Sequence, residues 1–369
     1  MLKKFMVENF RCFEDKMEIN LYKIRDYKYN DICISNNLVS KSIIYGKNSV
    51  GKSNLGYALM DIRNTLIVDS LSFGDEAGYI NALSGKKEAS FSYTFILGGN
   101  ELTYSYSKKS IHELTREELN VNGKTLYKCD FIENKYFLDE LKQYDGLDAL
   151  KLSSWKEGTP LLRFILFYGN LNELTVLNSL YKFVEGMALL RSVDGNFAFG
   201  GPKVLSSGIV KTIVEKDLKD DLERFLQSVE IDVKLKLDIK PDGEKTLYFD
   251  YKKPLEFARN ASSGTRALTA IFTVVHQIDK ISFLYVDEID ANLHFSLAEK
   301  MIQSMKEKLN TQILLTTHNT DLMSNKIMRP DCYFILTKNK FVSLSDSTDR
   351  ELREGHNLEK LFHSGEFNV

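Results

Sequence analysis

The stretch Gly46-Lys47-Asn48-Ser49-Val50-Gly51-Lys52-Ser53-Asn54 has the spacing G-x-x-x-x-G-K-S, that of a loop that wraps its backbone N–H groups around a phosphate. Gly46 and Gly51 permit backbone angles that other residues resist, and a helix opening near Lys52 would aim its positive end at the same anion. Lys52 is then placed to reach the outer phosphates of a polyphosphate, and the Ser53 hydroxyl to hold a divalent cation. Far along the chain, the apolar run Ile281–Val286 ends in Asp287 and Glu288. A carboxylate at that strand tip can hold the cation, and the next can take a proton from an attacking water. Asp290 adds a third carboxylate two residues on. A second apolar run, Gln312–Thr317, ends in His318, whose imidazole can hydrogen-bond a phosphate oxygen. Between these lies Ala261-Ser262-Ser263-Gly264-Thr265-Arg266, ahead of an apolar helix. Ser262 or Ser263 would cap that helix; in isolation the segment is an ordinary N-cap.

The elements that must position these groups are legible in outline. Ile43–Tyr45 reads as a buried strand feeding the loop, and Leu55, Ala58, Leu59 and Ile62 mark the helix after it, fading near Val68. Residues 2–9 and 16–21 read as two strands joined by Phe10-Arg11-Cys12-Phe13. Residues 89–127 alternate apolar and polar around turns at Gly98-Gly99-Asn100 and Asn122-Gly123, which predicts an antiparallel β subdomain. From Phe131 to about Phe197 the texture is helical without sustained heptads, and the glycine-rich stretch 195–208 reads as a loop. Val210–Val229 is amphipathic and helical. Residues 233–240 alternate apolar residues with Lys234, Lys236, Asp238 and Lys240, giving a strand whose lysine face either touches phosphates or is simply solvated. A helix starting near Asn292 supplies the crossover between the strands ending at Asp287 and His318. The carboxylates and His318 are therefore expected on the sheet edge that presents the loop.

Composition narrows the class. The chain has 369 residues, 43% hydrophobic and 27% charged, as in globular proteins. The formal charge of −2 gives no whole-molecule field for nucleic acid, although a local basic patch stays open. Cys12, Cys33, Cys129 and Cys332 lack metal-ligand spacing, and the N-terminus lacks a signal-peptide core, so a cytoplasmic protein with no membrane attachment is expected.

Taken together, these motifs resemble the ABC-type ATPase heads of the RecF/SMC/OLD class. Asn9-Phe10-Arg11-Cys12-Phe13 resembles the opening N-F-R-x-F, and Gly46–Asn54 resembles G-x-N-x-x-G-K-S-N. Ser262-Ser263-Gly264 resembles the signature motif, Asp287-Glu288 the Walker B pair, Asp290 the D-loop, and Thr316-Thr317-His318 the switch histidine, in the family's order. The signature has Ala261 where a leucine is usual, and no Q-loop glutamine can be placed. The S-S-G-T form and the short insertion resemble the compact AAA-family ATP-binding proteins of bacterial anti-phage and abortive-infection operons.

The resemblance implies an α/β head with a P-loop mixed or parallel sheet, flanking helices, an antiparallel β subdomain and a helical insertion. Its halves would be 1–130 and 210–369, with the insertion at 131–209. It implies ATP and Mg²⁺ as cofactors. Gly46, Asn48, Ser49, Val50, Gly51, Lys52, Ser53, Asn54 and Arg11 would contact nucleotide, Ser53 and Asp287 the metal, and Lys52, Glu288 and His318 would act in hydrolysis. Ser262, Ser263 and Gly264 would close over the nucleotide of a second subunit, giving a homodimer or higher homo-oligomer. The expected function is an ATPase switch controlling a nuclease or toxin effector in phage defence. That effector would be a separate chain, since no Toprim-like acidic cluster follows the core. The alternative is a RecF/SMC-like repair ATPase binding DNA directly.

Overall fold

Strand alternation in residues 89–130 folds as expected. Ala89–Leu97 buries every second side chain, and the strands Asn100–Lys108, Leu114–Val121 and Lys124–Asp130 follow it as successive antiparallel hairpins. Lys135–Phe137 closes one edge of this sheet; the N-terminal strands Leu2–Glu8 and Met17–Asn20 close the other, making seven strands. In this computed structural model the described residues are all except 68–77, 143–146, 148–151, 171, 194–195, 203–207, 292 and 368–369. The expected helix end at Val68 and helix start at Asn292 lie outside them. The loop helix runs Lys52–Leu66 and the crossover helix Phe295–Lys306.

A second seven-stranded sheet carries the motifs. Its order is Asn196–Gly200, Met187–Val193, Phe283–Asp287, Gln312–Thr317, Lys41–Tyr45, Tyr333–Leu336 and Phe341–Ser343. The inner five are parallel and the two edges antiparallel. Burial on both faces explains why Lys41–Tyr45, Phe283–Asp287 and Gln312–Thr317 read as apolar runs rather than alternating ones.

Here the structure corrects the helical expectation for residues 131–197. Helices Leu161–Tyr168 and Thr175–Glu185 are present, but Met187–Val193 and Asn196–Gly200 are strands of the motif-bearing sheet. The run Met187-Ala-Leu-Leu190 is short and fully apolar, and periodicity cannot separate such a buried strand from a helical turn. The expected 195–208 loop therefore begins as a strand; 195 and 203–207 lie outside the described residues. The 210–229 helix is two helices, Ile209–Glu215 and Lys219–Ser228.

The loop helix Lys52–Leu66 lies between the two large sheets. The Tyr93 hydroxyl donates to the Ala58 carbonyl at 2.7 Å. Asp61 accepts from Tyr79 at 2.9 Å, from Tyr106 at 2.8 Å and from Lys108 at 2.8 Å. Its carboxylate is buried but fully compensated, as a buried charge must be. Gln312 joins the sheets: its Oε1 accepts from the Leu2 N–H, while its Nε2 donates to the Leu2 and Val39 carbonyls, all at 2.9 Å. A small sheet, Leu235–Ile239, Lys245–Phe249 and Leu255–Glu256, packs against the helices Ile209–Glu215 and Lys219–Ser228. Its lysines meet local acids, Lys236 with Asp238 and Lys240 with Glu244 and Glu256, so this face is already partly neutralised.

Candidate functional site

The loop after Lys41–Tyr45 turns back on itself with Ser49 at φ 64° and Gly51 at φ 107°. Gly51 is the N-cap of the helix and has no side-chain cap, so the first N–H groups remain available to an anion. A Cβ at Gly51 would come within 2.5 Å of Cys12 Sγ, and one at Gly46 within 2.8 Å of Val50. The loop thus leaves no room for side chains at these two positions. The Lys52 ammonium folds back into it, donating to the Gly46 carbonyl at 2.7 Å and the Lys47 carbonyl at 3.2 Å. Burial pulls Lys52 below its ordinary pKa, while Glu288, Asp287 and Asp290 push it back up. All three carboxylates are therefore within electrostatic reach of the lysine. Asn48 and Ser49 are exposed on the loop, and Val50, Ser53 and Asn54 are partly exposed.

The opposite wall is built by parallel register. Phe283–Asp287 lies beside Gln312–Thr317, which lies beside Lys41–Tyr45, so Asp287, His318 and the loop emerge at one sheet edge. Thr316, fully buried, organises this edge. Its hydroxyl donates to Asp287 Oδ1 at 2.9 Å and accepts from the Glu288 N–H at 2.8 Å. Glu288 sits at φ 57°, a left-handed conformation costly for a residue with a Cβ. Turning the chain there swings its side chain off the strand line. Asp290 Oδ1 is buried and has no hydrogen-bond donor among the described residues. His318 is exposed one residue beyond the strand end.

Arg11 is brought to the site. Phe10 and Phe13 exchange backbone hydrogen bonds at 2.9 and 2.8 Å, leaving Arg11-Cys12 as a two-residue tip with Arg11 at φ 51°. The tip packs on the loop through Cys12 and Gly51. Burial pushes the Cys12 thiol up, partly offset by a hydrogen bond with Asn54. The Arg11 guanidinium lies 4.8 Å from the centroid of Tyr57, one helical turn beyond Ser53.

Ser262, Ser263 and Gly264 are not brought to this chain's own loop. Ser262 caps the helix Ser263–His276, accepting from the Thr265 N–H at 3.1 Å. That helix packs on the edge strand Asn196–Gly200, with three strands between that edge and the loop strand.

Three neighbours of the site were not foreseen. Thr316 lay inside a quoted motif, but only the register exposes its bridging role. Tyr285 is fully buried and donates its hydroxyl to the Lys52 carbonyl at 2.7 Å, fixing the helix start. Arg191 lies directly opposite Asp287 on the adjacent strand, hidden in sequence behind the misread apolar run.

Residues 215–324 match a family model described as "AAA domain, putative AbiEii toxin, Type IV TA system". No curated protein matches significantly. Similar solved structures include an SMC head bound to the C-winged helix domain of ScpA, at TM-score 0.49 and 17% identity, covering 93% of this chain and 97% of that one. Another is the SMC head domain from Thermotoga maritima, at TM-score 0.44 and 15% identity, covering 93% and 98%. A third is the Smc head domain with an extended coiled coil bound to the C-terminal domain of ScpA derived from Pyrococcus furiosus, at TM-score 0.46 and 15% identity, covering 93% and 96%. Among the described residues no helix is long and apolar enough to cross a membrane. The family match spans Ser262, Asp287, Glu288 and His318, and the loop at 46–53 lies outside it but on the same sheet edge as Asp287 and His318.

Proposed function

We propose that the protein binds MgATP in this cradle, hydrolyses it, and uses the cycle to open and close a homodimer. The observation that carries this reading is the Lys52 ammonium held on the Gly46 and Lys47 carbonyls at an uncapped helix start, on the sheet edge where the strand ending in Asp287 emerges. A polyphosphate entering the loop meets uncapped helix N–H groups and draws Lys52 off the Gly46 carbonyl onto its outer oxygens. Ser53 and Asp287, with the buried Asp290 Oδ1 that has no hydrogen-bond donor among the described residues, are the hard-oxygen groups that would hold Mg²⁺ arriving with the nucleotide. Bound there, Mg²⁺ would neutralise charge developing on the phosphates. Glu288, turned off the strand line and held by Thr316, takes the proton of the attacking water. His318 and Arg11 donate to phosphate oxygens.

Ser262–Gly264 stands at the far sheet edge, so a two-fold partner would present the same helix start to this chain's nucleotide. ATP then acts as the assembly ligand and hydrolysis reopens the pair. The name of the matching family, a putative AbiEii toxin of a type IV TA system, supports a toxin–antitoxin setting for the switch, with a separate effector chain as its output.

The decisive experiment is Glu288→Gln. The amide keeps shape and hydrogen bonding but accepts no proton, so hydrolysis should fall on the order of a hundredfold or more with nucleotide binding intact. The variant should accumulate as an ATP-bound dimer in size-exclusion chromatography with light scattering. Wild-type hydrolysis rates in Glu288→Gln would assign the base elsewhere.

A further inference from the structure

The metal-facing carboxylate already has a cation on it. Asp287 is 3% exposed at its side chain; Thr316 satisfies Oδ1, and Oδ2 faces Arg191 Nε at 3.7 Å. The pairing is dictated by backbone register, because Arg191 and Asp287 are direct partners on neighbouring parallel strands. The guanidinium is held from its other side: it donates to the Tyr57 hydroxyl, and its carbon lies 5.3 Å from the Tyr57 ring centroid. Arg11 lies over the same ring. Tyr57 therefore links the Arg11-Cys12 tip, the loop helix and the strand that carries Arg191.

Building on the nucleotide reading above, we propose that Arg191 is an internal stand-in for the metal. It neutralises Asp287 while the site is empty and must leave when a divalent cation arrives with nucleotide. A buried carboxylate without a counter-ion is costly. A guanidinium and a divalent cation cannot share one carboxylate oxygen, because their like charges would lie within a few ångströms in a poorly screened site. The side chain of Arg191 is 35% exposed, so it has solvent to swing into without repacking the core, and the Tyr57 ring supplies a place to rest. Two consequences follow. The empty protein rejects divalent cations on their own, and metal and nucleotide enter together, since phosphate charge is needed to draw Arg191 from Asp287. Arg191 is thus a positioning residue for the metal carboxylate, acting before any chemistry.

The test uses Mn²⁺ alone as probe, read by the electron paramagnetic resonance of the free ion, on the full chain without nucleotide. Arg191→Gln should bind Mn²⁺ about tenfold or more tightly than wild type, because the competing unit charge is gone. Arg191→Lys should behave as wild type, and Arg191→Gln with Asp287→Asn should lose the gain. Circular dichroism melting confirms that each variant is folded. Equal Mn²⁺ binding in wild type and Arg191→Gln, or a gain that survives Asp287→Asn, would overturn the proposal. Titration of a fluorescent ATP analogue into wild type reads the nucleotide assignment separately. If the analogue does not bind, that assignment fails while the Mn²⁺ result still decides the role of Arg191.

Discussion

Thr316→Val isolates the bond pair that shapes the Asp287–Glu288 turn. Valine fills the same buried volume, so no cavity opens, but both hydrogen bonds of the hydroxyl disappear. The bond donated to the Asp287 carboxylate is worth roughly 2 kcal/mol and the one accepted from the Glu288 N–H about 1 kcal/mol. Arg191 still faces Asp287, so the carboxylate is not stranded. The left-handed turn at Glu288 loses its tether as well. Stability in urea, followed by circular dichroism without nucleotide, should therefore drop by about 3 kcal/mol. Thr316→Ser keeps the hydroxyl and should lose no more than about 1 kcal/mol for the missing methyl. In steady-state assays Thr316→Val should lower hydrolysis more than it lowers ATP affinity, since the loop itself is untouched. A Thr316→Val protein within about 0.5 kcal/mol of wild type, the usual scatter of neutral changes, would mean that these bonds do not hold the turn.

Other outcomes follow from the same geometry. Replacing Gly264 with a bulky residue and, separately, Lys52 with Ala should each abolish hydrolysis; mixing the two should restore one composite site per heterodimer, and no rescue among demonstrated heterodimers would count against a shared site. Gly56→Ala should cost about 1–2 kcal/mol in thermal or urea unfolding despite better helix propensity, because its Cβ would sit 2.8 Å from the buried Tyr285 ring; an unchanged midpoint would show that the ring yields freely. Burial pulls Lys41 from its ordinary 10.5 to about 8, so between these values the unfolded chain binds more protons and stability rises with pH. Lys41→Met should flatten that rise by at most about 3 kcal/mol across the window, with the neighbouring Cys33 thiol, lowered by its hydrogen bond with Cys332, present in both proteins; identical slopes would sink the assignment.

Much of the site was legible because phosphate chemistry constrains spacing tightly. Gly46, Gly51, Lys52 and Ser53 must be close in sequence to act on one phosphate, and strand-end carboxylates announce themselves by following apolar runs. The antiparallel sheet was legible for a similar reason: half-burial imposes alternation on Ala89–Leu97 and its neighbours. What escaped depends on register between distant strands. Met187–Leu190 has no alternation because both its faces are covered, so nothing marked it as a strand or placed Arg191 opposite Asp287. The hydroxyl of Thr316 is one of two threonines in a row, and only the fold selects it. Ser262 shows the converse: its local role as a cap was plain, but its place at the far edge needed the strand order.

The strand order also bears on how the chain comes to be folded at all. Lys41–Tyr45 is completed on one side by Gln312–Thr317 and on the other by Tyr333–Leu336; Lys41 meets Thr311 across 270 residues, and Leu2 meets Gln312 across 310. On a ribosome adding about 5–20 residues per second, the loop strand waits roughly 15–60 s for its neighbours. Over that interval Ile43 and Ile44 have no sheet to bury them. The hairpins of residues 89–130 pair locally and can form early, offering the loop helix a surface to lean on before the parallel strands exist. The loop at residues 46–53 is thus translated well before the strands that complete its sheet.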